Sequence, residues 1–149
     1  MELDDPLLVW ASIELVFEAV SIYDGVEILD AGLALATPRQ RHFHAFWWTQ
    51  SEIRNGGFHQ YFSNTTGIVA PIALDGLRAL GATAAADAVA AACAPFAQQL
   101  QDREHRRAIL AELEITVFRE YDAAFYAAYP QAFELAAAYV REHPLEFFE

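Results

Sequence analysis

The chain contains no lysine. All nine of its basic residues are arginines, set against 21 carboxylates, and the formal net charge is −12 with histidine neutral. The first 38 residues hold eight acids and no basic residue: Glu2, Asp4, Asp5, Glu14, Glu18, Asp24, Glu27 and Asp30. That shortage of positive charge argues against direct nucleic-acid binding, which depends on neutralising phosphates with Lys and Arg. It argues against anionic membrane surfaces for the same reason. Cysteine is nearly absent. Cys93 has no intrachain partner, and within Ala90-Ala91-Ala92-Cys93-Ala94 it reads as a packed small residue with no basic neighbour to activate its thiol. Long hydrophobic runs are missing too. The stretch 81–97 is mostly alanine and is interrupted by Asp87 and Pro95, too weak to span a bilayer. The acidic start, Met1-Glu2-Leu3-Asp4-Asp5, lacks the basic residues and apolar run of a secretory signal. The expected compartment is therefore cytoplasmic.

What is present is a helix-forming, apolar sequence. The 149 residues are 55% hydrophobic and include 20 aromatics. A chain of this size buries about two-thirds of its surface without a metal or disulfide, and residues 1–149 read as a single helical domain. Leu7, Trp10, Ile13, Phe17 and Val20 recur at steps of three and four, which predicts a first helix over 6–23. Residues 26–36 are compatible with a short helix or a packed loop. Thr37-Pro38-Arg39-Gln40 carries a capping residue, a first-turn proline and a capping-box glutamine, so a helix should start there and run to about Arg54, where Asn55-Gly56-Gly57 ends it. Further helices are predicted over 58–63, 69–80, 83–94 (capped by Thr83), 102–128 and 131–142, with Pro130 opening the last and His143-Pro144 closing it. No alternating pattern supports a strand. The fold class is all-α, a compact array of six or seven helices.

Polar and aromatic residues concentrate in one place. Glu52, Asn55, Gly56, Gly57, Phe58, His59, Gln60, Tyr61 and Asn64 fall within thirteen positions. Two readings stand open. In one, Glu52, Asn55, His59, Gln60 and Asn64 surround a small pocket, with Glu52 and His59 as an acid/base pair if the glycine turn brings them together. In the other, Asn55-Gly56-Gly57 turns the chain, the aromatics enter the core, and Glu52 and Asn64 satisfy turn backbone. Metal binding has no support. His42 and His44 are two apart, which places them on different helix faces, and no His-Glu-x-x-His, cysteine pair or acidic calcium loop occurs. No cofactor is expected.

The run from Glu52 through Asn55-Gly56-Gly57-Phe58-His59-Gln60-Tyr61-Phe62-Ser63-Asn64 to Gly67 resembles the DNA-mimic protein C-terminal-domain-like family, a bacterial domain of unknown function. Gln40-Arg41, the segment from Ala73-Leu74 to Leu80-Gly81-Ala82, and Tyr139-Val140-Arg141-Glu142 ahead of Phe147 extend the likeness over most of the chain. The resemblance implies an all-helical fold. It also implies that a relative acts as an acidic dimer occupying the DNA-binding surface of a transcription factor.

The resulting expectation is a non-enzymatic acidic protein that binds a basic, DNA-binding partner and forms a homodimer. Its partner-binding carboxylates would be Asp4, Asp5, Glu14, Glu18, Asp24, Glu27 and Asp30. A compact chain of this length is about 38 Å across, and duplex DNA of that length carries about 22 charges, so a net charge of −12 is within twofold of such a backbone. The rival expectations are a small-molecule or peptide pocket at the Asn-Gly-Gly motif, catalytic or not, and an immunity or antitoxin protein answering a basic toxin. An acidic surface that serves only solubility fits the same composition.

Overall fold

The computed structural model describes residues 3–148, so Glu2 lies outside the described residues. These form seven α-helices and no strand: α1 Asp5–Ala19, α2 Val26–Leu33, α3 Pro38–Ser63, α4 Ala70–Leu80, α5 Thr83–Cys93, α6 Arg103–Glu112 and α7 Arg119–Glu142. Short 3-10 turns at Thr65–Val69, Ala94–Phe96 and Pro144–Glu146 complete the path. Among the described residues no helix is long and apolar enough to cross a membrane.

The start of α3 follows from its cap. Gln40 donates its backbone N–H to the Thr37 hydroxyl at 3.1 Å, and its side-chain oxygen accepts the Thr37 N–H at 3.0 Å. Two donors that the first turn would otherwise leave open are thereby satisfied. α3 packs on α1, α4, α6 and α7, and α5 packs on α4 and α7. Along α3, Phe43, Phe46, Ile53, Phe58, Tyr61 and Phe62 are all at most 2% exposed. Phe62 meets Phe96 with ring centroids 4.5 Å apart, and Phe58 meets Phe125 at 5.9 Å. Each such side chain contributes roughly 1.5–3 kcal/mol by leaving water. Cys93 is buried beside them, and burial pushes its thiol up to about 12.

Several boundaries depart from the sequence reading. α1 ends at Ala19 rather than Tyr23, because Val20 turns extended. Residues 26–33 are helical despite Gly32, whose missing Cβ admits the Val20 side chain. Thr83 does not cap α5. Ala82 occupies the cap position, and the Thr83 hydroxyl donates instead to the Gly81 carbonyl. The helix predicted over 102–128 is broken. Asp102 does cap α6, accepting the Glu104 and His105 N–H groups, but Ile115-Thr116-Val117 lies in a non-helical link to α7. Adjacent β-branched residues lose rotamer freedom in a helix, and here nothing buries them in compensation, with Ile115 83% exposed. Pro130 opens no helix. It lies within α7, where an interior proline costs about 3 kcal/mol. Phe125 and Ala128 before it, and Ala132 and Phe133 after it, are buried and hold both sides of the helix to the core.

One polar core residue sets a pH limit. His44 is fully buried, and neither ring nitrogen has a hydrogen-bond partner among the described residues. Phe17 of α1 lies over it, with ring centroids 5.8 Å apart. Burial pushes its pKa down to about 4 from an ordinary 6.5. The unfolded chain takes up this proton at a higher pH than the folded one. Stability is therefore lost as pH falls from 6.5 toward 4, by up to about 3 kcal/mol. Denaturant titrations across that window should show this loss, and His44→Leu should flatten the slope relative to the parent chain. An unchanged slope would mean that His44 titrates normally.

Candidate functional site

The motif centres on a bend. Gly56 (φ −151°, ψ 17°) and Gly57 (φ 74°, ψ −176°) leave helical geometry inside α3 and divide it into two limbs. In a straight helix residues twelve apart would be separated by about 18 Å. Here the Tyr61 and Thr49 hydroxyls, twelve apart, lie 2.7 Å from one another. Thr49 gives its single proton to the Ala45 carbonyl, so Tyr61 is the donor across the bend. Burial raises the Tyr61 pKa well above its ordinary value. Glu52 of the first limb accepts from Gln60 Nε2 at 2.9 Å and Asn64 Nδ2 at 3.0 Å in and after the second.

A bend of this kind opens backbone groups that a continuous helix would pair. α7 closes both sides of it. The Phe58 N–H donates to Asp122 Oδ1 at 2.8 Å, and the Tyr126 hydroxyl donates to the Ile53 carbonyl at 2.9 Å. Asp122 and Tyr126 are four apart and so share one helix face. Glycine is required at position 57 twice over. Its dihedral angles fall in a region that is essentially glycine-only, and a Cβ there would stand 2.7 Å from Asp122 Oδ2. A Cβ on Gly56 would overlap the Gln60 side chain.

The far end of α3 is held by two arginines. Arg103 Nε donates to the Ser63 carbonyl at 2.9 Å. Arg106 Nε donates to Phe62 at 2.9 Å, Nη2 to Asn64 at 2.8 Å, and Nη1 to Leu100. Burial lowers the Arg106 pKa. Cations at the negative end of a helix are favourably placed.

Much of the motif is thus committed to the fold. Phe58 and Tyr61 are core. Gln60 and Asn64 satisfy Glu52 rather than turn backbone. Asn55 is exposed, and the Glu52–His59 pair of the pocket reading does not form: His59 is exposed and makes no hydrogen bond or ion pair with Glu52 among the described residues. Sequence reasoning missed Asp122, Tyr126, Arg103 and Arg106, whose partners on α3 and at its end are 40 to 73 positions away.

The seven nominated acids divide by what they touch. Asp4 caps α1 by accepting the Leu7 N–H at 3.0 Å, Asp5 pairs with Arg141 at 2.9 Å, and Asp24 accepts from the Ser21 hydroxyl at 2.7 Å. Glu14 and Glu18 on α1 and Glu27 and Asp30 on α2 are exposed, with no hydrogen bond or ion pair from their side chains among the described residues. No group of three or more His, Cys, Asp or Glu side chains among the described residues could hold a metal ion.

These features define an all-helical protein whose sequence signature builds a glycine bend clamped by its last long helix. The chain belongs to the DMP19-like protein family, whose model matches residues 34–143. No curated protein and no solved structure matches it. The matched residues contain nine arginines and eleven carboxylates, a net charge of −2, whereas residues 1–33 carry −8. The nominated acids all precede the matched part.

If the bend is the structural centre of α3, Gly57→Ala should lower stability by about 1–3 kcal/mol through its backbone conformation alone. Asp122→Ala should cost a similar amount by leaving the Phe58 N–H without its charged acceptor. Chemical denaturation of each variant measures both losses. Wild-type midpoints for the pair would show that the bend does not depend on α7.

Proposed function

We propose that this protein is a non-enzymatic acidic binding protein whose N-terminal helices present carboxylates to a basic partner, in the manner of a DNA mimic occupying the nucleic-acid surface of a DNA-binding protein. Membership of the DMP19-like family supports this reading. The observation that carries it is the segregation of charge. Residues 1–33 hold −8 on a chain whose family-matched part is nearly neutral, and Glu14, Glu18, Glu27 and Asp30 have no internal counter-charge among the described residues. Carboxylates consumed in surface ion pairs would give little outward field. Unpaired ones steer a cationic partner and reject anionic competitors. The catalytic alternative at Glu52 and His59 receives no such support, since the two side chains are not brought together.

The four unpaired acids form the proposed contact set, with Asp4, Asp5 and Asp24 adding charge while serving local structure. Attraction between exposed charges weakens as salt screens it. A tagged full-length chain should retain a DNA-binding protein from lysate at low salt, release it in a rising gradient, and lose it to added duplex DNA. The double variant Glu14→Arg and Glu18→Arg, both exposed on α1, should weaken capture of that protein by about tenfold or more at low salt. Retention that DNA does not compete, or that charge reversal leaves intact, would remove mimicry as the explanation.

A further inference from the structure

We propose that the cleft between the α1–α2 connection and the start of α6 is a binding site for a small aliphatic monocarboxylate, held by the Arg103 guanidinium over an apolar floor. The cavity measures about 700 Å³, within the range of small-molecule sites. Ile22, Val26 and Ile68 supply apolar lining, and Gln98, Gln99 and Gln101 supply amides along one wall. A neighbouring cavity of about 230 Å³ shares Tyr23, Thr65 and Arg103 with it and is also lined by Glu52, whose carboxylate accepts from Gln60 and Asn64.

The charge distribution calls for an anion. Arg106 lines the cleft yet is 1% exposed, and its hydrogen-bond partners are the neutral carbonyls of Phe62, Leu100 and Asn64. Among the described residues neither Arg103 nor Arg106 has a carboxylate within ion-pair distance. Buried charges are normally paired. The carbonyl end of α3 offsets only about half a unit charge. Asp102 also lines the cleft, the one carboxylate among its lining residues. Its Oδ1 accepts the Glu104 and His105 N–H groups, and its Oδ2 lies 3.6 Å from the His105 ring. Arg103 itself is exposed at the mouth of the cleft; it uses Nε on Ser63, while its two terminal nitrogens make no hydrogen bond to the described residues. That free fork matches the two oxygens of a carboxylate. The glutamine wall begins beside Ala97, the one non-glycine residue among those described with positive φ (49°), a strained conformation of the kind that persists at ligand-binding segments.

Two features choose among anions. The apolar lining favours a ligand with a hydrocarbon body. The net charge of −12 disfavours a dianion, which the chain's field repels twice as strongly. A free branched-chain acid and the C-terminal carboxylate of a peptide share this chemistry.

The test is an NMR titration of the full chain with isovalerate, N-acetyl-leucine, N-acetyl-leucinamide and inorganic phosphate. Both carboxylates should give saturable shifts at Ile22, Ile68 and residues 98–101. The neutral amide should bind at least about tenfold more weakly, and Arg103→Gln should weaken the carboxylates by about tenfold. Gln99→Glu, an exposed change that sets a carboxylate on the same wall, should also abolish the shifts and serves if Arg103→Gln perturbs folding. Tighter binding of N-acetyl-leucine would identify a peptide terminus, and tighter binding of isovalerate a free acid. Absence of saturable shifts, equal binding of the amide, preferential binding of phosphate, or full affinity in a folded Arg103→Gln chain would overturn the proposal.

Discussion

The hydrogen bonds that α7 sends to the bend in α3 organise the rest of the molecule. Turning a helix back on itself leaves a donor at Phe58 and an acceptor at Ile53, and each would carry a desolvation cost if buried without a partner. Asp122 and Tyr126 supply both partners from one face of one helix. The arrangement fixes where α7 lies against α3, and both α1 and α5 pack on α7 in turn. At the other end of the second limb, Arg103 and Arg106 attach α6 to the carbonyls of residues 62–64. The motif therefore belongs to the fold before it belongs to any ligand.

The parts of this design that were legible in sequence are those whose causes are local. The capping box at Thr37 and Gln40 lies within four residues, and Gly81 closes α4 with φ 77°, the left-handed conformation that favours glycine. The spacing of the motif's aromatics indicates a buried face, and Phe58, Tyr61 and Phe62 are core. Pro130 misled because its local effect is to start or stop helices, whereas buried neighbours on both sides carry α7 through it. The break at Ile115-Thr116-Val117 had a local signal in its β-branched run, but the surrounding helical pattern outweighed it. Asp122 and Tyr126 had none. Their role depends on backbone groups 64 and 73 positions away, which become available only once the chain has bent.

Charge and fold are distributed differently along the sequence. The DMP19-like part spans residues 34–143 and supplies the bend, its clamps and much of the core with little net charge. The N-terminal helices carry the acids but also contribute Val9, Ile13, Leu29 and Leu33 to the core. Trp10 and Phe17 of α1 stack or tilt against Trp47 and Trp48 of α3, with ring centroids 5.1 and 4.9 Å apart. The acidic helices are thus seated on the aromatic side of α3 rather than loosely appended. Their carboxylates are held on a surface whose position is set by packing, a requirement for any recognition based on charge geometry rather than charge alone.

The reach of the Asp122 and Tyr126 contacts also bears on the order in which the chain can be completed during synthesis. When the ribosome has made the glycines at 56 and 57, the groups that satisfy the bend are still more than sixty residues from being translated. Until residue 126 has emerged, the second limb has neither its N-terminal acceptor nor the buried face of the last long helix, and its aromatics have few native neighbours. Long-range closure of this kind slows folding relative to bundles assembled from sequential hairpins. The chain must therefore leave the ribosome as far as residue 126 before its most distinctive segment can settle, and Phe58, Tyr61 and Phe62 are the residues whose exposure in the meantime a cell would have to tolerate.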